Sequence, residues 1–467
     1  MQIGAYLSNK AGTGRLARVV LLPTVLAAAT LAFFVAPAGS QEVRSSRASM
    51  AYSQNRPPKL LKGHVTLPSS NVIAKEDIGK KLHTNLRLFI PDAGLPSISY
   101  PPYSGYAYET PESVACVYDI VTPLAGCNPN TAVNVPAGGS QTIAIVDAYH
   151  APTVAGDLAY FSDQMGLPFI PSKFHIVFAS GFEPPVDYSG GWELEEALDV
   201  EWAHAMAPNA TLYLVEANSN YTSDLITAVQ VATNLVRCGK TTTCPTSPVP
   251  TGKGEVSMSW GGSEFTGENG YDTYFNQTNV VFLAAAGDGA GPIYPAASPN
   301  VISVGGTSIA RSLSTGNFSL ETAWQDAGGG PSVIETKPTY QSSLSGTRRW
   351  TPDVAAVADA ETGVWVYNSF PFDGYYYASD WWTVGGTSVA TPIWAGILNA
   401  ASTHNGAFAA SSSAELTKLY TDMASTSYAS EFRDITYGNC YFYRGYFAGA
   451  KYDACTGIGA PYGFAGK

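Results

Sequence analysis

From about residue 111 the chain alternates two patterns of apolar spacing. "QTIAIVDAY" (141–149), "ATLYLVEA" (210–217), "EVSMSW" (255–260), "NVVFLAAAGD" (279–288) and "NVISVGGT" (300–307) are short, β-rich and apolar throughout. Runs of that kind suit strands buried on both faces, as in a parallel sheet. Between them, "TVAGDLAYFSDQMG", "LEEALDVEWAHAMA", "TSDLITAVQVATNLV" and "GENGYDTYFNQ" carry apolar residues at helical spacing. The alternation predicts right-handed βαβ crossovers and an α/β fold: a doubly wound, mostly parallel sheet with helices on both faces. Functional sites in such sheets lie beyond the carboxyl ends of strands. Asp147, Trp260 and Asp288 stand at three of those ends.

The first 110 residues break this rhythm. Lys10, Arg15 and Arg18 precede "VVLLPTVLAAATLAFFVA", and "APAGSQ" supplies small-residue cleavage points, so residues 1–40 read as a signal peptide. Residues 41–110 are a Pro-, Ser- and Tyr-rich leader, a possible short pro-segment, with nine basic against four acidic residues between 41 and 95. It is either a solvated tether or a segment that docks on the acidic domain and loosens as carboxylates protonate. Residues 111–467 form the main domain. No later run is apolar for the ~20 residues a membrane helix needs, so no stable membrane insertion is expected after signal cleavage.

Charge and cysteine usage narrow the picture. The formal net charge of −12 leaves no basic face for phosphates and argues against a nucleic-acid partner. Six cysteines fall as near neighbours, Cys116 with Cys127, Cys238 with Cys244 and Cys440 with Cys455. Three local bridges and an exported, extracellular monomer are the simplest expectation. No CxxC occurs, which leaves zinc and thioredoxin-like chemistry unsupported.

The candidate chemistry centres on Ser388 in "VGGTSVATPIWAGILNAAS", either a helix cap or an exposed nucleophile. A nucleophilic serine needs a base and oxyanion donors. None of the six histidines stands in a recognisable catalytic setting. Carboxylates do better. Glu195 and Asp199, four apart, share a helix face about 5–6 Å apart at Cβ, where two ionised acids repel and one shared proton relieves them. Asp288 follows the apolar "FLAAAG", and burial there would keep it neutral and able to donate a hydrogen bond.

Taken together, "GGTSVATPIWAG", "AAAGD", "YPAASPNVISVGGT", "SMSWGG" and the Glu-x-x-x-Asp ahead of "VEWAHAMAP" resemble the sedolisins, or serine-carboxyl peptidases. The resemblance implies a subtilisin-like fold, with Ser388 as nucleophile, Glu195 as general base, Asp199 as its partner and Asp288 as the oxyanion-hole acid. It gives Trp260 and Asp147 supporting places in the network around the base. The implied activity is hydrolysis of protein or peptide substrates in acid, as an endopeptidase or tripeptidyl-peptidase. A non-catalytic binding module or an acyl hydrolase on the same fold are the alternatives. "FRDITYGNCYFYRGYFAGAKYDACTGIGAP" resembles the family's calcium loop, and implies one structural Ca2+ held by Asp434, Ile435, Gly449, Lys451 and Asp453. The family's usual Gly-x-Gly-x-Asp reads Gly449-Ala-Lys451-Tyr-Asp453 here.

Overall fold

A computed structural model describes residues 63–467, apart from 71–73, 93, 96–99, 104, 189–190, 372–379, 407 and 441–444. The expected signal peptide and the start of the leader lie outside the described residues. The described part of the expected leader supplies three strands, β1 (Gly63–Thr66), β2 (His83–Thr84) and β3 (Arg87–Ile90), within the same compact unit as residues 111–467. Helix α1 (Pro111–Val117) starts on a capping box. Thr110 accepts the Ser113 N–H while the Ser113 hydroxyl accepts the Thr110 N–H, and Pro111 takes the first turn where no N–H is needed.

The alternating pattern then becomes β4 (Thr142–Ala148), α2 (Val154–Gln164), β5 (Phe174–Phe178), α3 (Trp192–Met206), β6 (Thr211–Ala217), α4 (Thr222–Cys238) and β7 (Gly254–Met258). The expected strand at 255–260 is broken at Ser259, beyond which β8 (Trp260–Ser263) turns out of the main sheet. The segment at 267–277 holds only a single turn, α5 (Asp272–Phe275). Gly267, in a left-handed conformation, starts a short 3-10 turn before it that takes the place of a longer helix.

The chain continues through β9 (Val280–Ala285), β10 (Ile293–Tyr294), β11 (Ile302–Arg311), β12 (Phe318–Ala323), β13 (Gly330–Thr336), β14 (Arg348–Thr351), β15 (Val354–Val357), β16 (Val364–Tyr367) and β17 (Trp381–Gly385). It then enters the long helix α6 (Thr387–Asn405). The main sheet runs β12-β11-β9-β7-β4-β6-β5, with β15 also on β11. Only the β11–β12 pairing is antiparallel.

Both faces of this sheet are dry, as its near-continuous apolar strands require. In β4, Ile143 and Ile145 face the core shared with α3 and α6, whereas Ala144, Val146 and Ala148 face the core shared with α4. Helices α3 and α6 pack so closely that a Cβ on Gly396 would lie 2.6 Å from Met206 Cβ and 2.8 Å from Ala203 O. That contact sets the N-terminal turns of the two helices side by side. The three disulfides are Cys116–Cys127, Cys238–Cys244 and Cys440–Cys455. No helix among the described residues is long and apolar enough to cross a membrane.

Candidate active site

Ser388 lies in the first turn of α6, fully buried. It is not the cap: Gly386 holds that position, with φ 107 that a side chain would strain. The hydroxyl of Ser388 donates to Ser259 O at 2.9 Å and accepts the Asn85 N–H at 3.1 Å. Four residues on, Pro392 has no N–H to return to the Ser388 carbonyl. That carbonyl accepts the Ser259 hydroxyl instead, at 3.3 Å. A proline inside the helix thus ties the serine turn to the break between β7 and β8.

The Ser259 hydroxyl also reaches Asp199 Oδ1, at 2.8 Å. It has one proton for two acceptors. A protonated Asp199 would donate to Ser259 and free that hydroxyl for the Ser388 carbonyl, giving a continuous chain. Every residue of α3 is buried, its acids included. Burial pushes the Glu195 carboxyl well above the ordinary carboxylate range, reinforced by the charges of Asp199, Asp147 and Asp288 and opposed by the Ser388 hydroxyl. Burial likewise raises Asp199, against the Ser259 hydrogen bond. Neither Glu195 oxygen has a hydrogen-bond partner among the described residues. The Ser388 hydroxyl must therefore turn from Ser259 O to donate there.

Behind the pair, Asp147 is raised by burial and then by Asp199 and Glu216. Trp260 touches this network through the backbone: its Nε1 donates to Val146 O at 2.6 Å, next to Asp147, and not to a carboxylate. The acids extend further than the motifs indicate. Burial and Glu216 raise Glu196, Glu216 is pushed up to about 8 by burial, and His150 Nδ1 lies 2.8 Å from Glu216 Oε2. Ser259, Glu196, Glu216 and His150 are the members that sequence reasoning misses. Ser259 was within reach, since it sits inside the quoted "SMSWGG".

Asp288 follows β9 and faces the same turn. Its Oδ1 accepts the Thr387 N–H at 2.7 Å and the Thr387 hydroxyl at 2.9 Å, while its buried Oδ2 has no hydrogen-bond partner among the described residues. Burial raises it from 3.8 to about 7, with Arg87 and the Thr387 hydrogen bonds opposing. The Arg87 guanidinium lies 3.7 Å from Oδ2. A Cβ on Gly386 would sit 1.9 Å from Asn85 O and 2.8 Å from Asp288 Oδ2, so glycine keeps open a small space that both oxygens face. Ser388 N–H points there too, 3.1 Å from Asn85 O. Two donors could meet an oxyanion at that spot: one backbone N–H and, when protonated, Asp288.

No histidine is hydrogen-bonded to Ser388 among the described residues. His150 serves Glu216, and His204, lowered to about 4 by burial, packs on Phe169.

At the C-terminal loop, Asp434 and Asp453 each accept a backbone N–H from residues 449–451. Asp434 accepts the Lys451 N–H at 2.9 Å, and Asp453 accepts the Gly449 N–H at 3.2 Å. Asp453 also takes the N–H groups of Cys455 and Thr456. Lys451 adopts φ 64, the left-handed conformation that the family's glycine would take freely. Ile435 is buried beside Asp434. Two carboxylates over a carbonyl-rich loop form a hard-oxygen donor set. No group of three or more His, Cys, Asp or Glu side chains able to hold a metal occurs among the described residues.

Residues 188–439 match the subtilase family. Sedolisin of Pseudomonas sp. (strain 101) is 37% identical over 183 residues, 36% of this chain and 28% of its own length. Kumamolisin of Bacillus sp. (strain MN-32) is 28% identical over 362 residues, 70% of this chain and 59% of its own. These matches span less than two thirds of either relative. A solved structure of Pseudomonas sedolisin, a serine-carboxyl proteinase complexed with two molecules of pseudo-iodotyrostatin, superposes with a TM-score of 0.57 at 25% identity. The likeness covers 76% of this chain and 95% of that one. The chain belongs to the subtilase family, and its relatives put it among the sedolisins.

Proposed function

We propose that this chain is a secreted serine-carboxyl peptidase that hydrolyses peptide bonds in acid. One observation carries the reading: a buried serine hydroxyl faces buried carboxyl groups on two sides, with no histidine in hydrogen-bond reach among the described residues. Glu195 takes the Ser388 proton as Oγ attacks the peptide carbonyl. Asp199, held by Ser259, shares a proton with Glu195. Ser388 N–H and protonated Asp288 receive the oxyanion. Glu195 then hands its proton to the leaving amine, and water repeats the sequence on the acyl-enzyme. Asp147 and the Trp260 turn support the pair from behind.

The charge states set the working range. Asp288, raised to about 7, is neutral in acid and loses its donor as pH passes that value. The Glu195–Asp199 pair must have released one proton, so activity follows a bell on the acid side of neutrality. Protein or peptide chains are the substrates. Export rests on the apolar first forty residues and suits three disulfides. One structural Ca2+ would be held by the Asp434 and Asp453 carboxylates with carbonyls of Ile435, Gly449 and Lys451, bracing the C-terminal loop.

The test is digestion of a denatured protein at about pH 3–5, wild type beside Ser388→Ala. Peptides from the wild type alone support the reading. Hydrolysis of esters without peptides would indicate an acyl hydrolase, and no hydrolysis at all a binding module.

A further inference from the structure

The carboxyl ends of the strands hold the serine turn; their amino ends hold a cavity. About 230 Å3 of space lies beside β7 and β9, lined by Glu255 and Val281, which pair across the two strands. Leu398 and Ser402 bring the last turns of α6 to it. At 1.5 Å per residue, Ser402 is roughly 21 Å along the helix from Ser388, so the two places share a helix but no residue. Helix α7 (Ser412–Ala424) lines the cavity through Ala414, Glu415 and Lys418. Its start is fixed to β9, where the Phe282 N–H donates to Ser412 Oγ at 2.8 Å. Phe408 and Ala409, between the helices, also line it, and the Asn279 N–H ties that loop down through Ala410 O at 2.8 Å. These bonds fix the walls in place. An apolar cavity of ~150 Å3 takes up benzene, so this one has room for a ring with a short arm.

The polar groups on this lining are unevenly served. Glu255 is fully buried and Glu415 is 3% exposed, and Oε1 of each has no hydrogen-bond partner among the described residues. Glu255 Oε2 accepts the Asn399 amide at 2.6 Å. Ser402 Oγ donates to Asn399 O at 2.7 Å. Lys467 Nζ donates to Glu431 O at 2.5 Å and to Ala465 O at 2.7 Å, which leaves one of its three N–H groups. Lys418 pairs with Asp422 at 3.5 Å, on the solvent side. Burial raises Glu255 against the Asn399 hydrogen bond, and lifts Glu415 to about 7 against Lys418 and Lys467. Burial and Lys418 lower Lys467 to about 7, with Glu431, Glu415 and Asp422 opposing. A buried carboxyl left without a partner is costly, and a ligand that pairs with it recovers the cost.

We infer that this cavity is a second, non-catalytic binding site, and that it takes a small monocarboxylate with an apolar body. In acid Glu255 and Glu415 are neutral and offer O–H groups, while Lys418 and Lys467 are the charges on the lining, both positive. A carboxylate head then meets the spare Lys467 N–H and the two O–H donors, and its apolar body meets Val281, Leu398 and Phe408. An ammonium head would face two like charges. The preference carries a pH sign. As pH rises through about 7, Glu415 gains charge and Lys467 loses it, so a carboxylate is first attracted and then repelled. None of this depends on the peptidase reading, because no residue of the serine turn lines the cavity.

The experiment is calorimetric titration of the full-length Ser388→Ala chain with phenylacetate at about pH 5, beside 2-phenylethanol, phenethylamine and acetate. Phenylacetate should bind one per chain. The alcohol, which lacks the charge, and acetate, which lacks the ring, should each bind about tenfold more weakly or worse, and the amine should not bind. Raising the pH to about 8 should weaken phenylacetate by about tenfold, and by less in Glu415→Gln, whose amide stays a neutral donor. Two substitutions on different walls locate the site: Lys467→Met removes the cation and Ala409→Trp fills the space, and each should cost about tenfold in affinity. The comparison of the four ligands needs neither variant, so it stands even if one of them fails to fold. No saturable binding of phenylacetate, equal binding of the amine, or undiminished binding by a folded Ala409→Trp chain would each overturn the inference and leave the peptidase reading untouched.

Discussion

Replacing Asp288 by asparagine separates its two roles, shape and charge. The amide Oδ1 can still accept from Thr387 N–H and Oγ1, and the amide nitrogen would take the place of Oδ2 beside the oxyanion space. What disappears is the titration. In the parent, burial lifts Asp288 from 3.8 to about 7. The folded state therefore keeps a proton that the unfolded state has already lost between those values. The sign follows: this group's contribution to stability is full below about 4 and is lost as pH rises through about 7. A shift of about three units corresponds to roughly 4 kcal/mol. Unfolding by urea at about pH 4, 6 and 8, in a Ser388→Ala background that cannot digest itself, should show the parent losing up to that much more stability than Asp288→Asn across the range. In the active background, the alkaline limb of kcat/KM should move upward. The rate should fall by less than the ~10²–10³ expected for removing a donor outright. Parallel stability curves, or an alkaline limb that stays in place, would refute a neutral Asp288.

Three further substitutions or treatments probe the surroundings. Gly386→Ala would push a methyl to within 1.9 Å of the position of Asn85 O, closing the oxyanion space; kcat should drop by about 10²–10³, and near-normal turnover would contradict this use of the space. Ser259→Ala removes the hydrogen bond that favours ionised Asp199. The acid limb of the pH profile should move upward, and stability should fall by about 1–3 kcal/mol as buried acceptors lose their donor. A chelator should lower the thermal midpoint and added Ca2+ restore it, while Asp453→Asn should be much less sensitive to either. A midpoint indifferent to both would remove the cation.

The sheet was legible because its strands are buried on both faces, and continuous apolar runs such as those of β4, β6 and β9 have few other uses. Strand β5 escaped because all its residues are half-buried at the sheet's edge and its histidine and two phenylalanines lack a clear period. Glu195, Asp199, Asp288 and Ser388 were nameable from local motifs, and the folded chain brings them to one place. The role of Ser259 was hidden because it depends on Pro392, some 130 residues away, withholding an N–H. The path of the leader was hidden for a related reason. Thr84 meets Trp260 and Arg87 meets Gly385 through backbone pairing, which leaves no trace in side-chain pattern. His83–Thr84 is also too short a strand to announce itself.

The central claim is that a carboxylate, and no imidazole, activates Ser388. Its most direct measurement is the single-turnover acylation rate at about pH 4 for Glu195→Gln beside His150→Gln. Carboxylate catalysis predicts a loss of about 10²–10⁴ for Glu195→Gln, which keeps the shape but cannot take the proton, and a rate within about threefold of wild type for His150→Gln. A Glu195→Gln enzyme that acylates at the wild-type rate, or a collapse confined to the histidine variant, would contradict it.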